Sequence, residues 1–371
     1  MIVPTNNGNK HRVRVLVVDD SAYNRRTISR LLERSPLIEV VGTAKDGEEA
    51  LRRAFELRPD LVTLDLEMPK LDGFSFLRVL MSRQPTPVLV VSGQNEGENV
   101  FKALEFGAVD FVSKPTRTIS NELESIGQEL LSKVLSMKQL KLENAQHQFD
   151  FTANRPEEGV GDGEKAKEIL LQEPRWQPGV FKLIAIGSST GGPGALTSIL
   201  SSVPRDLPAA IMVAQHMPRG FTQPFADRLN RFADLDVREA TDREVVKPGR
   251  VYIAPGGMNM TVKRRGTDVV TVLSEKNSAD RYVPSVNALL QSAAETYGPD
   301  CVAVILTGMG DDGMEGVRAV KKRNGFTIAE SAETSVIFGM PKQVISTGMV
   351  DSVLPLWKIS DTLTGLFKPL I

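Results

Sequence analysis

The feature that most constrains this chain is a pattern it shows twice: short apolar runs of strand length, separated by helix-length stretches, with acidic or hydroxyl residues where the runs end. Between Arg12 and about Pro115 the runs are VRVLVV, IEVVGTA, LVTLDL, PVLVVSG and DFVSKP. Parallel strands need a long crossover and a helix supplies it, so this alternation predicts a five-stranded, doubly wound parallel α/β sheet. The intervening segments are amphipathic; in the first, Ile28, Leu31 and Leu32 recur at helical spacing. A fifth helix is expected to begin near Ser120 and run past Leu140, with Ile126, Leu130, Val134 and Met137 on one face. The second alternation comprises FKLIAIGSS, AAIMVAQH, VYIAP, a hairpin around Gly266, and CVAVILTG. It predicts another doubly wound α/β layer with a mainly parallel sheet. The glycines and carboxylates of the two halves fall at different places, so the second is no repeat of the first.

A chain of 371 residues exceeds what one core usually organises. The expected division is a tail over 1–11, a first domain over 12–140 that includes its long last helix, a flexible linker over 141–178, and a second domain over 179–371. The linker is polar and acidic, with NRPEEGVGDGEK as its least patterned stretch. A formal net charge of -1 provides no overall field for nucleic acid or anionic lipid, so neither is an expected partner. No leader and no long apolar run is evident, which leads to a cytoplasmic protein without membrane insertion. The one cysteine, Cys301, opens an apolar run and reads as a core residue. Of the three histidines, His11 and His147 fall in the tail and the linker. Imidazole chemistry in the second domain must therefore use His216.

Functional groups of open parallel sheets gather at the carboxyl ends of the strands. In the first domain those ends carry Asp19 and Asp20, then Asp65, and finally Lys114 before Pro115. Three carboxylates with one lysine suit a hard divalent cation, Mg²⁺, bound through oxygen. Any one such aspartate is ordinarily a helix cap or a solvated turn. Together, DDS, DLEMP, the hydroxyl of VSG and KP resemble the response regulator receiver family over the whole segment. That resemblance implies a flavodoxin-like fold with Asp65 as phosphoacceptor. Asp20, Asp65 and the Glu67 carbonyl would hold Mg²⁺, with Asp19 acting through water. Ser92 and Lys114 would contact the phosphoryl oxygens, and Phe111 would be the aromatic that moves with Ser92.

The second domain opens with a hydrophobic strand, a tight glycine-bearing turn and a helix started by Pro193. Gly187, Ser189 and Gly191 fit the G-x-S-x-G spacing, which exposes a serine on a sharp strand-to-helix turn beside backbone amides. Taken alone, such a turn equally caps a helix or binds a phosphate. His216 ends the next strand, and Asp311 and Asp312 follow the strand VAVILTG. Serine, histidine and an aspartate on three strand ends can assemble a nucleophile, a base and an orienting acid. The order Ser, His, Asp differs from the usual α/β-hydrolase order, which points to a separate fold.

GSSTGG, QHMP, IAPGG and ILTGMGxDG resemble the catalytic domain of the chemotaxis protein-glutamate methylesterases, the CheB family, from about Phe181 to near the C-terminus. The family's order of receiver, linker and esterase also matches. By this resemblance Ser189 is the nucleophile, His216 the general base and Asp312 the orienting acid. The backbone amides of Thr190 and Met309 are the implied oxyanion donors. Three positions depart from the family pattern: Asp311 where asparagine is usual, Val283 where arginine is frequent, and Asn259 where histidine is frequent.

The resemblance implies hydrolysis of glutamate γ-methyl esters on the cytoplasmic helices of methyl-accepting chemotaxis receptors, with release of methanol, and deamidation of receptor glutamines. It implies a chemotaxis histidine kinase as phosphodonor and no cofactor in the esterase domain. Two rival readings are a regulator whose second domain only binds a partner, and a serine hydrolase of small metabolites.

Overall fold

Both alternations become sheets in the structure, a computed structural model that describes residues 12–93, 96–114, 120–137, 140, 142, 144, 182–276 and 281–366. The expected tail over 1–11 lies outside the described residues, as does the linker over 141–178 apart from Leu142 and Asn144. Two units result, each with its own sheet.

The first sheet and its helices run β1 (Val13–Val18), α1 (Ala22–Leu32), β2 (Ile38–Ala44), α2 (Gly47–Leu57), β3 (Leu61–Leu64), α3 (Gly73–Arg83), β4 (Val88–Ser92), α4 (Gly97–Glu105), β5 (Asp110–Ser113) and α5 (Ser120–Ser136). Its strands are all parallel in the order β2-β1-β3-β4-β5. This is the flavodoxin-like order, with its switch point beside β1. β3, β4 and β5 are buried at every residue, as strands covered on both faces must be. Helix starts are fixed by side-chain caps: Asp46 Oδ1 accepts from the Glu49 amide (2.9 Å) and Asp72 Oδ1 from the Ser75 amide (2.7 Å).

The helix expected to pass Leu140 stops at Ser136. The Ser136 hydroxyl donates to the Lys133 carbonyl at 2.7 Å, and the Leu140 amide bonds Met137 in a three-residue step. A hydroxyl competing for a backbone carbonyl weakens the next α-helical turn. Of the face foreseen for this helix, Leu130, Val134 and Met137 are buried.

The second unit runs β6 (Lys182–Ser188), α6 (Gly192–Leu200), β7 (Ala209–Gln215), α7 (Thr222–Phe232), β8 (Asp236–Glu239), β9 (Arg250–Ile253), β10 (Met258–Arg265) and β11 (Asp268–Glu275). It continues with α8 (Val286–Tyr297), β12 (Cys301–Ile305), α9 (Met314–Lys322), β13 (Phe326–Glu330), α10 (Met340–Ile345), β14 (Ser352–Leu354) and α11 (Leu356–Gly365). Seven of these strands form a parallel sheet in the order β14-β13-β12-β6-β7-β9-β8. Strands β10 and β11 pair as the antiparallel hairpin expected around Gly266, where a φ of 64° suits a residue without Cβ.

One face of the large sheet packs Leu183, Ala185, Ala210, Met212, Ala303 and Ile305 into a core with Leu289, Leu290 and Val317. The alternate residues Ile184, Ile186, Ile211 and Val213 are buried too. Burial on both faces is why these strands read as unbroken apolar runs. Cys301 lies within this core, and burial pushes its thiol up to about 12. The chain goes from β6 outward to β7 on one side and returns to β12 on the other. The switch point therefore lies at the carboxyl end of β6, where an open parallel sheet forms a crevice. Among the described residues, no helix is long and apolar enough to cross a membrane.

Candidate functional site

In the first unit, Asp19 and Asp20 directly follow β1 and Asp65 directly follows β3. One ligand oxygen from each lies within 4.8 Å of the others. Asp19 Oδ1 accepts from the Ser21 amide (2.8 Å) and from Asn24 Nδ2 (3.3 Å). Asp65 Oδ1 accepts from Lys114 Nζ (2.8 Å) and from the Glu67 amide (3.1 Å). The second oxygens, Asp19 Oδ2 and Asp65 Oδ2, are buried without a hydrogen-bond partner. Burial raises the pKa of both carboxyls, that of Asp65 to about 6 despite the opposing pull of Lys114. Two buried carboxylate oxygens without donors are costly to maintain, and a hard cation is the group that would satisfy them. Mg²⁺ therefore fits this donor set. Ser92 is buried at the end of β4, and Phe111 is buried on β5 opposite Val90. Arg25, which sequence reasoning missed, donates to the Asp19 and Asp20 carbonyls at 2.8 and 2.9 Å.

In the second unit Ser189 stands one residue past β6, buried at the switch point. Gly191 has φ 81° at the head of α6, and a Cβ there would come 2.7 Å from Val336. Only glycine permits so tight a turn. The Ser189 amide donates to Thr307 O (3.0 Å) beyond β12, and the His216 amide to Ser188 O (3.0 Å). These bonds draw the ends of β12 and β7 to the two sides of the serine. His216 Nε2 then lies 2.8 Å from Asp312 Oδ2.

Asp312 is held at the start of α8, where free amides point outward. Its Oδ2 also accepts from the Val286 amide (2.8 Å), and its Oδ1 accepts from the Asn287 amide (2.9 Å). Burial would raise this carboxyl, but the bond and charge of His216 and the two amides outweigh it, and the pKa is lowered. A carboxylate that stays ionised can only accept, so in the neutral imidazole Nε2 is the donor and Nδ1 the nitrogen that keeps a lone pair. Asp311 is exposed and turned elsewhere, with Arg281 Nη1 at 3.2 Å and the Tyr282 hydroxyl at 3.3 Å. Of the two adjacent acids, the structure brings Asp312 to His216.

Thr190 is buried beside Ser189, and its carbonyl accepts from Thr307 Oγ1 at 2.9 Å. Met309 follows Gly308, whose backbone is so close that a Cβ there would meet Ser189 Cβ at 2.8 Å. The Gly308 carbonyl accepts from the Gly339 and Met340 amides (3.1 and 2.8 Å), which pins this loop against the serine.

Several residues of the site escaped the sequence reading. Gln215 Nε2 donates to Ser189 O and to His216 O, both at 3.0 Å, and its Oε1 accepts from Ser188 Oγ at 2.6 Å. A glutamine beside the histidine was the available signal. Asn287 Oδ1 accepts from the Gly313 and Gly316 amides (3.0 and 2.8 Å), clasping the loop that carries Asp312. Asn259, noted as a departure, accepts at Oδ1 from the Ser285 amide (2.9 Å) and so steadies the residue that caps α8. Nothing in the structure explains Val283 in place of arginine.

The CheB methylesterase family matches residues 184–363, and the response regulator receiver domain family matches residues 15–124. The protein-glutamate methylesterase/protein-glutamine glutaminase 3 of Geobacter sulfurreducens is 48% identical over 355 residues, which cover 94% of this chain and 96% of that protein. The protein-glutamate methylesterase/protein-glutamine glutaminase 1 of Myxococcus xanthus is 43% identical over 356 residues, 96% of this chain and 97% of that protein. Among solved structures, the Thermotoga maritima CheB methylesterase catalytic domain is 47% identical and covers 50% of this chain and 99% of its own, with a TM-score of 0.49. The likeness to the Geobacter and Myxococcus proteins runs through both units and nearly the full length of each. The chain therefore belongs to the CheB methylesterase family, as a hydrolase preceded by a response regulator receiver domain.

Proposed function

We propose that this chain hydrolyses glutamate γ-methyl esters on the cytoplasmic helices of methyl-accepting chemotaxis receptors, releasing methanol, and that it deamidates receptor glutamines. A chemotaxis histidine kinase supplies the phosphoryl group to Asp65, and the protein works in the cytoplasm. The receiver spans 12–140, the linker 141–178 and the methylesterase domain 179–371. The observation that carries this reading is the 2.8 Å bond from His216 Nε2 to an ionised, buried Asp312, on the same sheet edge as the Ser189 turn.

The chemistry follows from that bond. Ser189 Oγ attacks the ester carbonyl while Nδ1 of His216 takes its proton, and Asp312 stabilises the imidazolium that forms. The amides of Thr190 and Met309 stabilise the oxyanion. Collapse breaks the bond to methoxide, which leaves as methanol with the proton from His216. Water, deprotonated by the same imidazole, then releases the glutamate carboxylate from Ser189. With a glutamine substrate the leaving group is ammonia.

In the receiver, Asp19, Asp20, Asp65 and the Glu67 carbonyl would hold Mg²⁺, whose charge would offset that of the phosphoryl oxygens. The chain's own residues do the rest: Asp65 accepts the phosphoryl group, Lys114 and Ser92 bind its oxygens, and Phe111 follows Ser92. The test is methanol release from methylated receptor membranes. Wild-type protein should release it, and Ser189→Ala should lose roughly 10⁴ to 10⁶ in rate. A folded Ser189→Ala protein that turns over like the wild type would remove Ser189 from the mechanism.

A further inference from the structure

Tyr282 lies outside the triad, yet it covers the imidazole. Its ring is parallel to that of His216 within 4°, with centroids 4.9 Å apart, the offset geometry that aromatic pairs favour. The same side chain is held from other directions. Its hydroxyl donates to Asp311 Oδ1 at 3.3 Å, and the Arg281 guanidinium carbon lies 5.0 Å from the ring centroid. The backbone of Gly310 closes on the hydroxyl, so that a Cβ there would overlap it. Burial, joined by the charge of Asp311, raises the phenol pKa against the pull of Arg281 and keeps it a neutral donor.

We propose that Tyr282 is a positioning residue for the general base, tethered by Asp311 and stacked on His216 so that the imidazole is confined to the plane in which Nε2 meets Asp312. The inference rests on the hydrolase reading above. Among the described residues the imidazole is hydrogen-bonded only through Nε2, which leaves the ring some freedom to turn about Cβ–Cγ, and a parallel ring against its face restricts that freedom. The aromatic face also favours the imidazolium formed when the serine proton is taken. Asp311, which departs from the family's usual asparagine, thereby gains a use without joining the triad: it anchors the tyrosine. Among the described residues, the charged groups joined to the imidazole are Asp312 directly, and Asp311 and Arg281 through Tyr282.

The experiment compares Tyr282→Phe, Tyr282→Leu and Tyr282→Met in the full-length chain. One readout is the rate at which a fluorophosphonate labels Ser189, across pH 5 to 9, and the other is methanol release from methylated receptor membranes. Tyr282→Phe keeps the ring and should stay within about threefold of wild type. The leucine and methionine variants should label about tenfold or more slowly, with kcat lowered more than KM is raised. Their acid limb should move down by about half a pH unit or more, because the imidazolium has lost its aromatic neighbour. Wild-type labelling and an unmoved acid limb in folded Tyr282→Leu and Tyr282→Met would overturn the proposal. Equal loss in Tyr282→Phe and Tyr282→Leu would overturn it also, by moving the role from the ring to the hydroxyl. Labelling of Ser189 needs no receptor, so wild-type labelling without methanol release would reject the receptor reading while leaving this comparison decisive.

Discussion

Two buried carboxylates at strand ends, Asp65 and Asp312, differ in what surrounds them. Asp65 Oδ1 meets Lys114 and the Glu67 amide, but its Oδ2 is buried with no partner and its pKa is raised to about 6. Asp312 has both oxygens engaged, by His216 and the Val286 and Asn287 amides, and its pKa is lowered. Both follow parallel strands and both are almost wholly buried. A carboxylate with an unfilled oxygen is waiting for a ligand, whereas one with every oxygen filled has a fixed charge to lend to its neighbour. The first suits a site that is modified, and the second suits a site that must hold one protonation state through a catalytic cycle.

The largest expected effect tests the filled carboxylate. Asp312→Asn puts a donor or a neutral oxygen where His216 and two amides need an acceptor, so methanol release should fall by about 10⁴. Asp311→Asn should stay within about tenfold, since only the anchor of Tyr282 is weakened. If the two variants exchanged ranks, the orienting role would belong to Asp311 and the contrast with Asp65 would fail. Next comes the unfilled carboxylate. Asp65→Asn should incorporate no labelled phosphate and lose all stimulation by a phosphodonor, while unstimulated methanol release persists. Chelating Mg²⁺ from the wild type should block labelling and spare unstimulated release, because the chemistry proposed for Ser189, His216 and Asp312 uses no metal. Labelled phosphate on Asp65→Asn would show that another side chain is the acceptor.

How much of this was legible in the sequence depended on burial. VLVVS became β4 and KLIAIGS became β6 because strands covered on both faces are buried throughout, whereas IEVVGTA, the half-buried edge strand β2, was read from its valines and isoleucine. Strands β8, β13 and β14 were not foreseen. β8 reads DVRE and lies at one edge of the sheet, and β14 is three residues at the other, so neither carries a long apolar run. β13 reads FTIAE and is buried throughout, but its threonine and glutamate imitate a surface segment. At the site, Ser189, His216 and Asp312 were readable because strand ends are where side chains meet in such a sheet. Tyr282, Asn287 and Gln215 were not. They touch the proposed triad from α8 and its approach or from a strand end, and of the three only Gln215, next to His216, left a local signal.

Glu330 extends the comparison to a third buried carboxyl, and its expected effect is on stability rather than turnover. It ends β13 fully buried, with Oε2 accepting from the Thr307 amide (2.7 Å) and Oε1 from Thr334 Oγ1 (2.8 Å). Thr307 in turn holds the Thr190 carbonyl and the Ser189 amide. Burial pushes the Glu330 carboxyl up to about 7 from an ordinary 4.5, although the Thr307 and Thr334 bonds pull it down. Between those two values the folded protein keeps a proton that the unfolded chain has released. Stability must then fall as pH rises from 4.5 toward 7, and level off above, where both states are ionised. One such group contributes a slope of at most about 1.4 kcal/mol per pH unit. Glu330→Gln cannot titrate, so the stability of wild type relative to this variant should decline most steeply from pH 5 to 7 and flatten toward pH 8. Denaturant unfolding at four pH values measures that difference. Parallel curves for the two proteins would mean that Glu330 is already ionised in the fold at pH 5, which would make it a second filled carboxylate like Asp312 rather than an intermediate case.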